Sequence, residues 1–514
     1  MQLQSLQTKV SCFRKRAVVN FVINLFYKAG VPHDVLQLLP GSGSIIGNAL
    51  TKDPHIKGVI FTGSTITAQM INQNLASKSF ESVLIAETGG QNTMIVDSTV
   101  LPEQVVTDVI SSGFDSAGQR CSALRVLYLQ VDIADKIIEM LKGAMDELFI
   151  GNPMNINADV GPIIDVNAQK TLLNHIEKMK TQAKMHYEAK LSDECIKGIF
   201  IAPTIFEINS IKELEKEVFG PIVHIIRFKE EDLDSIIEEI NSSGYGLTMG
   251  LHSRIDNRVV KIYENIKAGN IYINRNMIGA VVGVQPFGGE RMSGTGPKAG
   301  GPLYLYRLVN TIKEPDLNFK EKVFKFSKLD KFIAKLKKAD ISGIDNDNKL
   351  FLINFANKAK QMSPLLKHIK LPDPTGEDNF MFFAKKGFVA CYANNIFDLI
   401  KQIICAFATD NSIILPESNM TKYLIRILPN NSYSIKDPVS ADELDCVMVS
   451  KNYYNKNKLM PLYAQRKKRI ISIIYEKDNS YNLYLLAVER VVSINTAASG
   501  GNMQLMTIED SIIE

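Results

Sequence analysis

Short apolar runs alternate with amphipathic segments along most of this chain, and that alternation restricts it to α/β architectures. Between about residues 25 and 285 the runs are GVIFT (58–62), SVLIAE (82–87), NTMIVD (92–97), RVLYLQ (125–130), IVHIIRF (222–228) and NIYIN (270–274). Helical patterns such as DIADKIIEMLKGAMDEL (132–148) lie between them. Strands that alternate with helices indicate largely parallel sheets.

The chain changes character over residues 313–340, which are rich in lysine. Four apolar residues there follow the spacing of one helix face: Leu329, Phe332, Ile333 and Leu336. This spacing predicts an amphipathic helix that leads from one domain into another. The α/β pattern then resumes in GFVACYA (387–393), SIILP (412–416), CVMVS (446–450) and RIISIIYE (469–476). We therefore predict a domain boundary near 315–345.

Charge and composition narrow the function classes. The chain has 514 residues, 45% of them hydrophobic and 22% charged, which is typical of a globular protein with sizeable cores. A formal net charge of +4 gives no reason to expect a nucleic-acid partner or an anionic membrane surface. No apolar run reaches the roughly 18 residues that a membrane span needs. The apolar stretch near the N-terminus is interrupted by Asn20, Asn24 and Tyr27, so an amphipathic helix ending at Gly30 is expected there.

The six cysteines are widely spaced, with neither a CxxC pair nor zinc-ligand spacing. Such a scattered set is typical of a reduced, cytoplasmic protein, and no metal site is expected. One of them, Cys121, stands in FDSAGQRCSALR (114–125), between a turn at Gly118 and the run RVLYLQ. A thiol on such a loop is accessible to substrate, and the adjacent Arg120 is expected to raise its thiolate fraction. A buried structural cysteine explains the position about equally well.

A carboxylate ends the second strand, in IAETGGQN (85–92). Glu87 is followed by Gly89 and Gly90, which let the backbone approach a ligand closely. In open α/β sheets, ligands bind beyond the carboxyl ends of strands. Taken alone, a Glu that caps a helix or forms an ion pair is the more common explanation.

Glycine-rich turns follow other strands. In FTGSTITA (61–68) a strand runs into Gly-Ser-Thr and a helix, whose first amides make a phosphate cradle. PGSGSIIGNAL (40–50) is a second such turn just upstream. EKEVFGPIV (215–223) and QPFGGERMSGTGPKAGGP (285–302) are also rich in glycine and proline, for which ordinary turn chemistry is sufficient.

Together these clusters resemble the aldehyde dehydrogenase superfamily in identity, order and spacing. The string GNIYINRNMIGAVVGVQPFGGERMSGTGPKAGGPLYL (269–305) is similar to the 1-pyrroline-5-carboxylate (glutamate semialdehyde) dehydrogenase module of the bifunctional proline utilization A proteins. LPDPTGEDN (371–379) and ERVVSINTAASGGNMQLMTI (489–508) resemble the C-terminal domain of their long forms.

The resemblance implies NAD-dependent oxidation of glutamate semialdehyde to glutamate in proline catabolism. Cys121 would attack the aldehyde to form a thiohemiacetal, hydride would pass to the nicotinamide, and Glu87 would activate water to hydrolyse the thioester. The backbone N–H of Cys121 would stabilise the oxyanion. The implied cofactor contacts are Gly63 and Ser64 for the pyrophosphate, Glu217 for the nicotinamide ribose and Phe219 nearby. The implied substrate contacts are Arg120, Ser122, Gly279 and Ala280, the last three for the substrate carboxylate.

The resemblance also implies four regions in the chain. Residues 1–87 are the remaining part of a Rossmann-type NAD-binding domain, and 88–314 form the catalytic thiol domain. A linker helix (315–345) precedes a second, non-catalytic aldehyde-dehydrogenase-like α/β domain (346–514), which ends in the terminal motif 489–508. In the family the module begins well upstream of Met1, so the first strands of the NAD fold and an asparagine of the oxyanion hole are expected to lie outside this chain.

Other interpretations stay open at this stage. The chain is either active as it stands, a catalytically impaired fragment or inactive remnant, or a non-catalytic half that assembles with a separately encoded N-terminal half or a proline dehydrogenase. Acyl transfer from the thioester to coenzyme A is an alternative to hydrolysis. The choice between NAD and NADP, and the oligomeric state, are not determined by the sequence.

Overall fold

The apolar runs form strands of three sheets. The computed structural model describes residues 13–78, 82–309, 319–467 and 469–497. Its strands are β1 (Gly58–Thr62), β2 (Val83–Glu87), β3 (Thr93–Val96), β4 (Val126–Gln130), β5 (Lys184–Glu188), β6 (Thr204–Glu207), β7 (Ile222–Phe228), β8 (Thr248–His252), β9 (Asn270–Ile273), β10 (Lys320–Glu321), β11 (Lys367–Lys370), β12 (Glu377–Lys385), β13 (Phe388–Tyr392), β14 (Ser412–Leu415), β15 (Tyr433–Ile435), β16 (Leu444–Val449), β17 (Ser472–Tyr475) and β18 (Ala487–Asn495).

Thirteen α-helices connect these strands in the described ranges. They are α1 (Phe13–Lys28), α2 (Asn48–Lys52), α3 (Thr65–Ala76), α4 (Pro102–Phe114), α5 (Val131–Asp146), α6 (Val166–Gln182), α7 (Leu233–Ser242), α8 (Asp256–Asn265), α9 (Ser327–Lys338), α10 (Asn346–Gln361), α11 (Ile396–Ala408), α12 (Asn419–Leu424) and α13 (Lys456–Ala464). Every run predicted as a strand contains one, so the α/β class is confirmed.

Three strands of the first half were not predicted. β5 (KMHYE) is a polar strand at the edge of its sheet, and β6 has only four residues. β8 contains Gly250, where a Cβ would lie 3.0 Å from the Met277 sulfur. Polar edges and glycines weaken the apolar alternation on which strand prediction depends.

The largest sheet is mixed and has eleven strands, in the order β10-β11-β12-β18-β9-β8-β3-β4-β7-β6-β5. Its central strands are parallel, from β9 through β8, β3, β4 and β7 to β6. β18, near the C-terminus, lies parallel to β9 with Val491 opposite Asn270, and β12 pairs antiparallel with β18. Strands from the last third of the chain therefore extend the sheet of the first half.

This topology bears on the predicted regions. The ranges 88–314 and 346–514 contribute strands to one sheet, so their boundary does not separate sheets. The ranges themselves stay a prediction. Residues 498–508 of the terminal motif lie outside the described residues, as do residues 1–12, which include Cys12.

A second parallel sheet lies entirely within the C-terminal part, in the order β15-β14-β13-β16-β17. The predicted amphipathic helix is present as α9, and all four of its predicted face residues are buried in the core beside this sheet. Full burial of each such side chain contributes about 1.5–3 kcal/mol. α9 is therefore packed into the C-terminal core, while its role as a linker stays a prediction.

The first described segment is helical. α1 ends at Lys28, and Gly30 follows with a positive φ of 94°, which fits the predicted end of that helix. The upstream glycine-rich stretch is not the predicted turn, because Gly43–Gly47 forms a π-helical turn that continues into α2. β1 and β2 make a two-stranded parallel sheet, in which Thr62 is opposite Glu87. Across the described ranges, every helix is too short or too polar to cross a membrane.

Candidate active site

The loop that presents Cys121 begins with three residues in the left-handed region. After α4, a tight turn spans Asp115–Gly118, and φ is 55° at Ser116, 54° at Ala117 and 63° at Gly118. For residues other than glycine this conformation costs roughly 1–2 kcal/mol each. At Gly118 a Cβ would lie 2.2 Å from the carbonyl oxygen of Gly220, so only glycine fits there.

Two buried side chains hold this loop. The Arg125 guanidinium donates from Nη1 to the Gly118 carbonyl at 2.7 Å and from Nη2 to the Arg120 carbonyl at 3.0 Å. Asn92 donates from Nδ2 to the carbonyls of Cys121 (2.6 Å) and Ala123 (2.9 Å). The backbone on both sides of the thiol is thus fixed by side chains whose roles the sequence did not reveal. Both residues stand inside strings already singled out, in IAETGGQN and FDSAGQRCSALR.

The Cys121 thiol is protonated at neutral pH in this state. Burial raises the pKa of Cys121 to about 11, and the nearby charges of Glu217 and Glu87 raise it further, while Arg125 lowers it. The expectation that Arg120 activates the thiol is wrong for this conformation. The Arg120 side chain is exposed, and its Nε donates to the Ser116 hydroxyl at 3.0 Å. The cation that acts on the thiol is Arg125.

Glu87 ends β2 as a buried carboxyl group. Its Oε2 accepts from the Gly289 N–H at 2.8 Å, and its Oε1 has no hydrogen-bond partner within the described residues. Burial raises the pKa of Glu87 to about 8, although the Gly289 N–H and the charge of Lys298 oppose that rise. A carboxyl group with a pKa near the working pH is suited to general-base catalysis.

The segment after Gln285 forms the wall around Glu87. At Gly288 a Cβ would lie 2.7 Å from Glu87 Oε1. Ser293 accepts from the Thr88 N–H at 3.0 Å through its carbonyl, and Thr295 exchanges hydrogen bonds with the backbone of Ala86. The glycines of 285–302 therefore do more than form turns, because they let this segment approach the carboxyl group.

The predicted pyrophosphate residues lie at the turn from β1 into α3. Ser64 is exposed and caps α3, since its hydroxyl accepts from the Thr67 N–H at 3.3 Å. The Gly63 N–H donates to the Glu87 carbonyl at 3.1 Å. Because the amides of Gly63 and Thr67 already have partners, those left for a phosphate at this helix end are the amides of Ser64, Thr65 and Ile66.

Glu217 and Phe219 lie against the nucleophile loop. Glu217 Oε1 accepts from Arg125 Nη2 at 3.2 Å, and the Phe219 ring centroid is 5.2 Å from the Arg125 guanidinium carbon. The Glu217 carboxylate fills the space beside Gly89, where a Cβ would lie 1.7 Å from its Oε2. The carboxyl end of β2 is thus the place where the base, the turn after β1 and Glu217 meet.

The predicted carboxylate anchor comes from two loops. Ser122 is buried in the nucleophile loop, and Gly279 and Ala280 follow β9. Ser112 of α4 joins these loops, because its carbonyl accepts from the Leu124 N–H at 2.9 Å and its hydroxyl accepts from the Met277 N–H at 3.0 Å. Gly279 has a φ of 77°, and the space where its Cβ would lie is open. The geometry leaves room for a ligand beside Gly279.

The chain is similar to several known proteins. The aldehyde dehydrogenase family matches residues 14–312, more than half of the chain. The chain is 40% identical over 507 residues to the bifunctional protein PutA of Escherichia coli (strain K12), a match that covers 95% of this chain and 38% of that protein. The chain therefore spans less than half the length of this relative.

Two solved structures are also similar. Proline utilization A from Corynebacterium freiburgense matches 95% of this chain and 46% of its own, with a TM-score of 0.73 and 22% identity, which shows a shared fold. The 1-pyrroline-5-carboxylate dehydrogenase from Thermus, crystallised with bound NAD, matches 57% of each chain, with a TM-score of 0.54 and 32% identity.

Proposed function

This chain belongs to the aldehyde dehydrogenase family, and from that premise we propose that it oxidises L-glutamate 5-semialdehyde, derived from 1-pyrroline-5-carboxylate, to L-glutamate with NAD. The observation that carries the proposal is that one site combines a thiol, on a loop held by Asn92 and Arg125, with the buried Glu87 carboxyl group, whose Oε1 no described residue bonds. The similarity to a 1-pyrroline-5-carboxylate dehydrogenase supports the choice of substrate.

Cys121 begins the reaction as the nucleophile. Its sulfur bonds to the aldehyde carbon, the thiol proton passes to solvent water, and the carbonyl oxygen becomes an oxyanion that the Cys121 N–H would stabilise. Asn92 and Arg125 hold the backbone of this loop, so the sulfur and that N–H keep a fixed relation during attack. NAD, when bound, would accept the hydride from the former aldehyde carbon, which leaves a thioester on Cys121.

Glu87 completes the reaction as the base. Its carboxylate removes a proton from water, the resulting hydroxide adds to the thioester carbon, and the carbon–sulfur bond breaks to release the acid and the thiolate. The buried Oε1, which no described residue bonds, is the atom that would accept this proton. Transfer to coenzyme A is the competing outcome, and free glutamate as the product would exclude it.

The residues present fit a dinucleotide at its pyrophosphate. α3 is twelve residues long, its first turn is exposed at Ser64, and Gly63 allows close approach of a ligand. The amides at a helix N-terminus favour a phosphate group. Glu217, which accepts from Arg125 Nη2 at 3.2 Å, would bond a ribose hydroxyl of the dinucleotide.

Ser122, Gly279 and Ala280 would bind the carboxylate of the substrate. A hydroxyl and two backbone amides would each donate a charge-assisted hydrogen bond to it. Ser112 accepts hydrogen bonds from both loops, which supports their binding one ligand together. A semialdehyde that carries a carboxylate is therefore preferred over a simple aldehyde.

A second candidate function is assembly with a separately encoded partner, either an N-terminal half or a proline dehydrogenase. One edge of β1 has no partner strand within the described residues, and two apolar residues lie at the surface, Phe21 of α1 (64% exposed) and Ile66 of α3 (72% exposed). An open strand edge is a template for pairing. Co-purification of a partner, with activity only in the mixture, would support this function.

The direct test is NADH formation from glutamate semialdehyde. The chain should produce NADH and free glutamate, and Cys121→Ala should abolish both. Cys195→Ala is the matched control, since that thiol is buried away from the site and should leave the rate unchanged. A folded chain that binds NAD but forms no NADH, alone or with a partner, would contradict the proposal.

A further inference from the structure

Lys298 is a buried cation to which the proposed reaction gives no role. Its side chain is 2% exposed, and its Nζ donates to Asn270 Oδ1 at 2.8 Å and to the Gly288 carbonyl oxygen. Burying an ammonium group is costly unless it is paired and hydrogen-bonded. Gly269 is needed for this arrangement, because a Cβ there would lie 2.7 Å from the Lys298 Nζ.

A single peptide group connects this lysine to the base. The Gly288 carbonyl accepts from Lys298, and the N–H of the same peptide bond, that of Gly289, donates to Glu87 Oε2 at 2.8 Å. An ammonium on the carbonyl polarises the peptide and strengthens the N–H as a donor, since linked hydrogen bonds reinforce one another at low dielectric. Lys298 therefore acts on Glu87 both through this peptide and by its charge.

Glu489 of β18 fixes Lys298 from the other side. Its Oε2 accepts from the backbone N–H of Lys298 at 2.8 Å. The adjacent residue, Arg490, forms a buried ion pair with Glu290, from Nε to Oε1 at 3.0 Å. Two successive residues of β18 thus bond to the segment 285–302, whose Gly289 N–H donates to Glu87.

We propose that Lys298 is a positioning residue for Glu87, acting through the Gly288–Gly289 peptide, and that Glu489 keeps Lys298 charged and in place. The proposal rests on the proposed function only in naming Glu87 as the base. It assigns to a C-terminal strand, remote in sequence, control over the second half of the reaction.

The surrounding charges determine whether the pKa of Glu87 rises or falls when Lys298 or Glu489 is neutralised. The titratable or charged groups that influence Glu87 or Lys298 are Lys298, Glu489, Cys121, Tyr304, Glu290 and Arg490. Burial lowers the pKa of Lys298, while Glu489 and Glu87 oppose that change. Removing the lysine charge should raise the pKa of Glu87 above about 8, whereas removing only the Glu489 charge would lower it by direct electrostatics.

The test is a pH titration of Glu87 in the protein alone. Infrared difference spectra between the chain and its Glu87→Gln variant isolate the carboxyl band of this residue. Lys298→Met should move the midpoint of the Glu87 titration upward by about one pH unit or more. Lys298→Arg, which keeps the positive charge, should return the midpoint most of the way to its original pH. Lys401→Met removes the lysine of a buried ion pair with Glu476 and controls for general destabilisation.

Glu489→Gln provides a second variant that keeps an acceptor for the Lys298 N–H. If Glu489 acts through Lys298, this variant also moves the titration of Glu87 upward, and the upward shift disappears in the Lys298→Met background. An unchanged titration in Lys298→Met would overturn the proposal. A downward shift in Glu489→Gln would do the same, because it is the result for a charge that acts directly on Glu87.

Kinetics separate this proposal from the proposed function. Lys298→Met should slow steady-state turnover with glutamate semialdehyde at pH 7 by about tenfold or more while leaving the first burst of NADH intact. A loss of the burst and the steady state in equal proportion would overturn the positioning role. If the unmodified chain makes no NADH but the infrared shifts occur, the proposed function fails and the positioning of Glu87 stands.

Discussion

The two ends of the site are held very differently. Around Cys121 the backbone is fixed by Asn92 and Arg125, and the Glu87 carboxyl group accepts a hydrogen bond from the Gly289 N–H. At the cofactor end, the turn between β1 and α3 belongs to a sheet of two described strands. The groups for covalent chemistry are therefore preorganised by this chain itself, whereas fewer contacts of the described residues hold the cofactor turn.

The largest expected effect comes from removing the base. Glu87→Gln keeps the shape of the buried site but cannot accept a proton from water, so steady-state turnover should fall by about 10²–10⁴-fold while the first NADH burst persists. Stopped-flow absorbance would separate the two phases. Glu476→Gln, in a buried ion pair of the C-terminal part, should leave both phases intact. A burst lost along with turnover would show that Glu87 acts before the thioester forms.

The conformation of the nucleophile loop depends on one glycine, Gly118. Gly118→Ala places a Cβ 2.2 Å from the Gly220 carbonyl at a φ of 63°, so we expect a loss of more than about 1–2 kcal/mol in unfolding free energy and a sharp loss of NADH formation. Denaturant titration would measure it. Gly143→Ala, on the exposed side of α5, meets no atom and should instead gain about 0.5–1 kcal/mol.

The protonation of Glu87 predicts a pH dependence. Its pKa is raised to about 8, so the base form is lost as pH falls through that value. Steady-state turnover should therefore drop about tenfold for each pH unit below 8, with full rate above it. A rate profile over pH 6–9 would check this. A midpoint near the ordinary value for glutamate would mean that the carboxyl group is solvated during turnover.

The cofactor end should be the least sensitive to substitution. Ser64→Ala removes an exposed helix cap worth about 1 kcal/mol, so NAD binding should weaken only a few-fold and the rate at saturating NAD should hold. Calorimetric titration with NAD would measure the change. A loss of NADH formation as large as that expected for Gly118→Ala would show that the cofactor turn is held as tightly as the nucleophile loop. The contrast between the two ends would then disappear.

Local patterns predicted much of this structure. All ten apolar runs contain a strand, because each pattern lies within a few residues of chain. The motifs also led to Cys121 and Glu87, since a loop thiol and a strand-end carboxylate are visible without tertiary contacts. The alternation could not reveal that β18 joins the first sheet, because that pairing brings Val491 to Asn270.

Long-range partners account for what sequence reasoning missed. Arg125 meets Glu217 across 92 positions, and Lys298 meets Glu489 across 191. The error over Arg120 has the same origin, since adjacency in sequence indicated one arginine while folding placed another beside the thiol. The individual site roles, including those of Gly279 and Ala280, stay predictions until a ligand is bound.

Trapping the covalent intermediate tests the central claim most directly. Glu87→Gln would be incubated with NAD and glutamate semialdehyde, quenched in acid and analysed by peptide mass spectrometry. The account predicts a glutamyl thioester on the peptide that carries Cys121, in an amount equal to the NADH burst. NADH formation with that peptide unmodified, or with the acyl group on another cysteine, would contradict it.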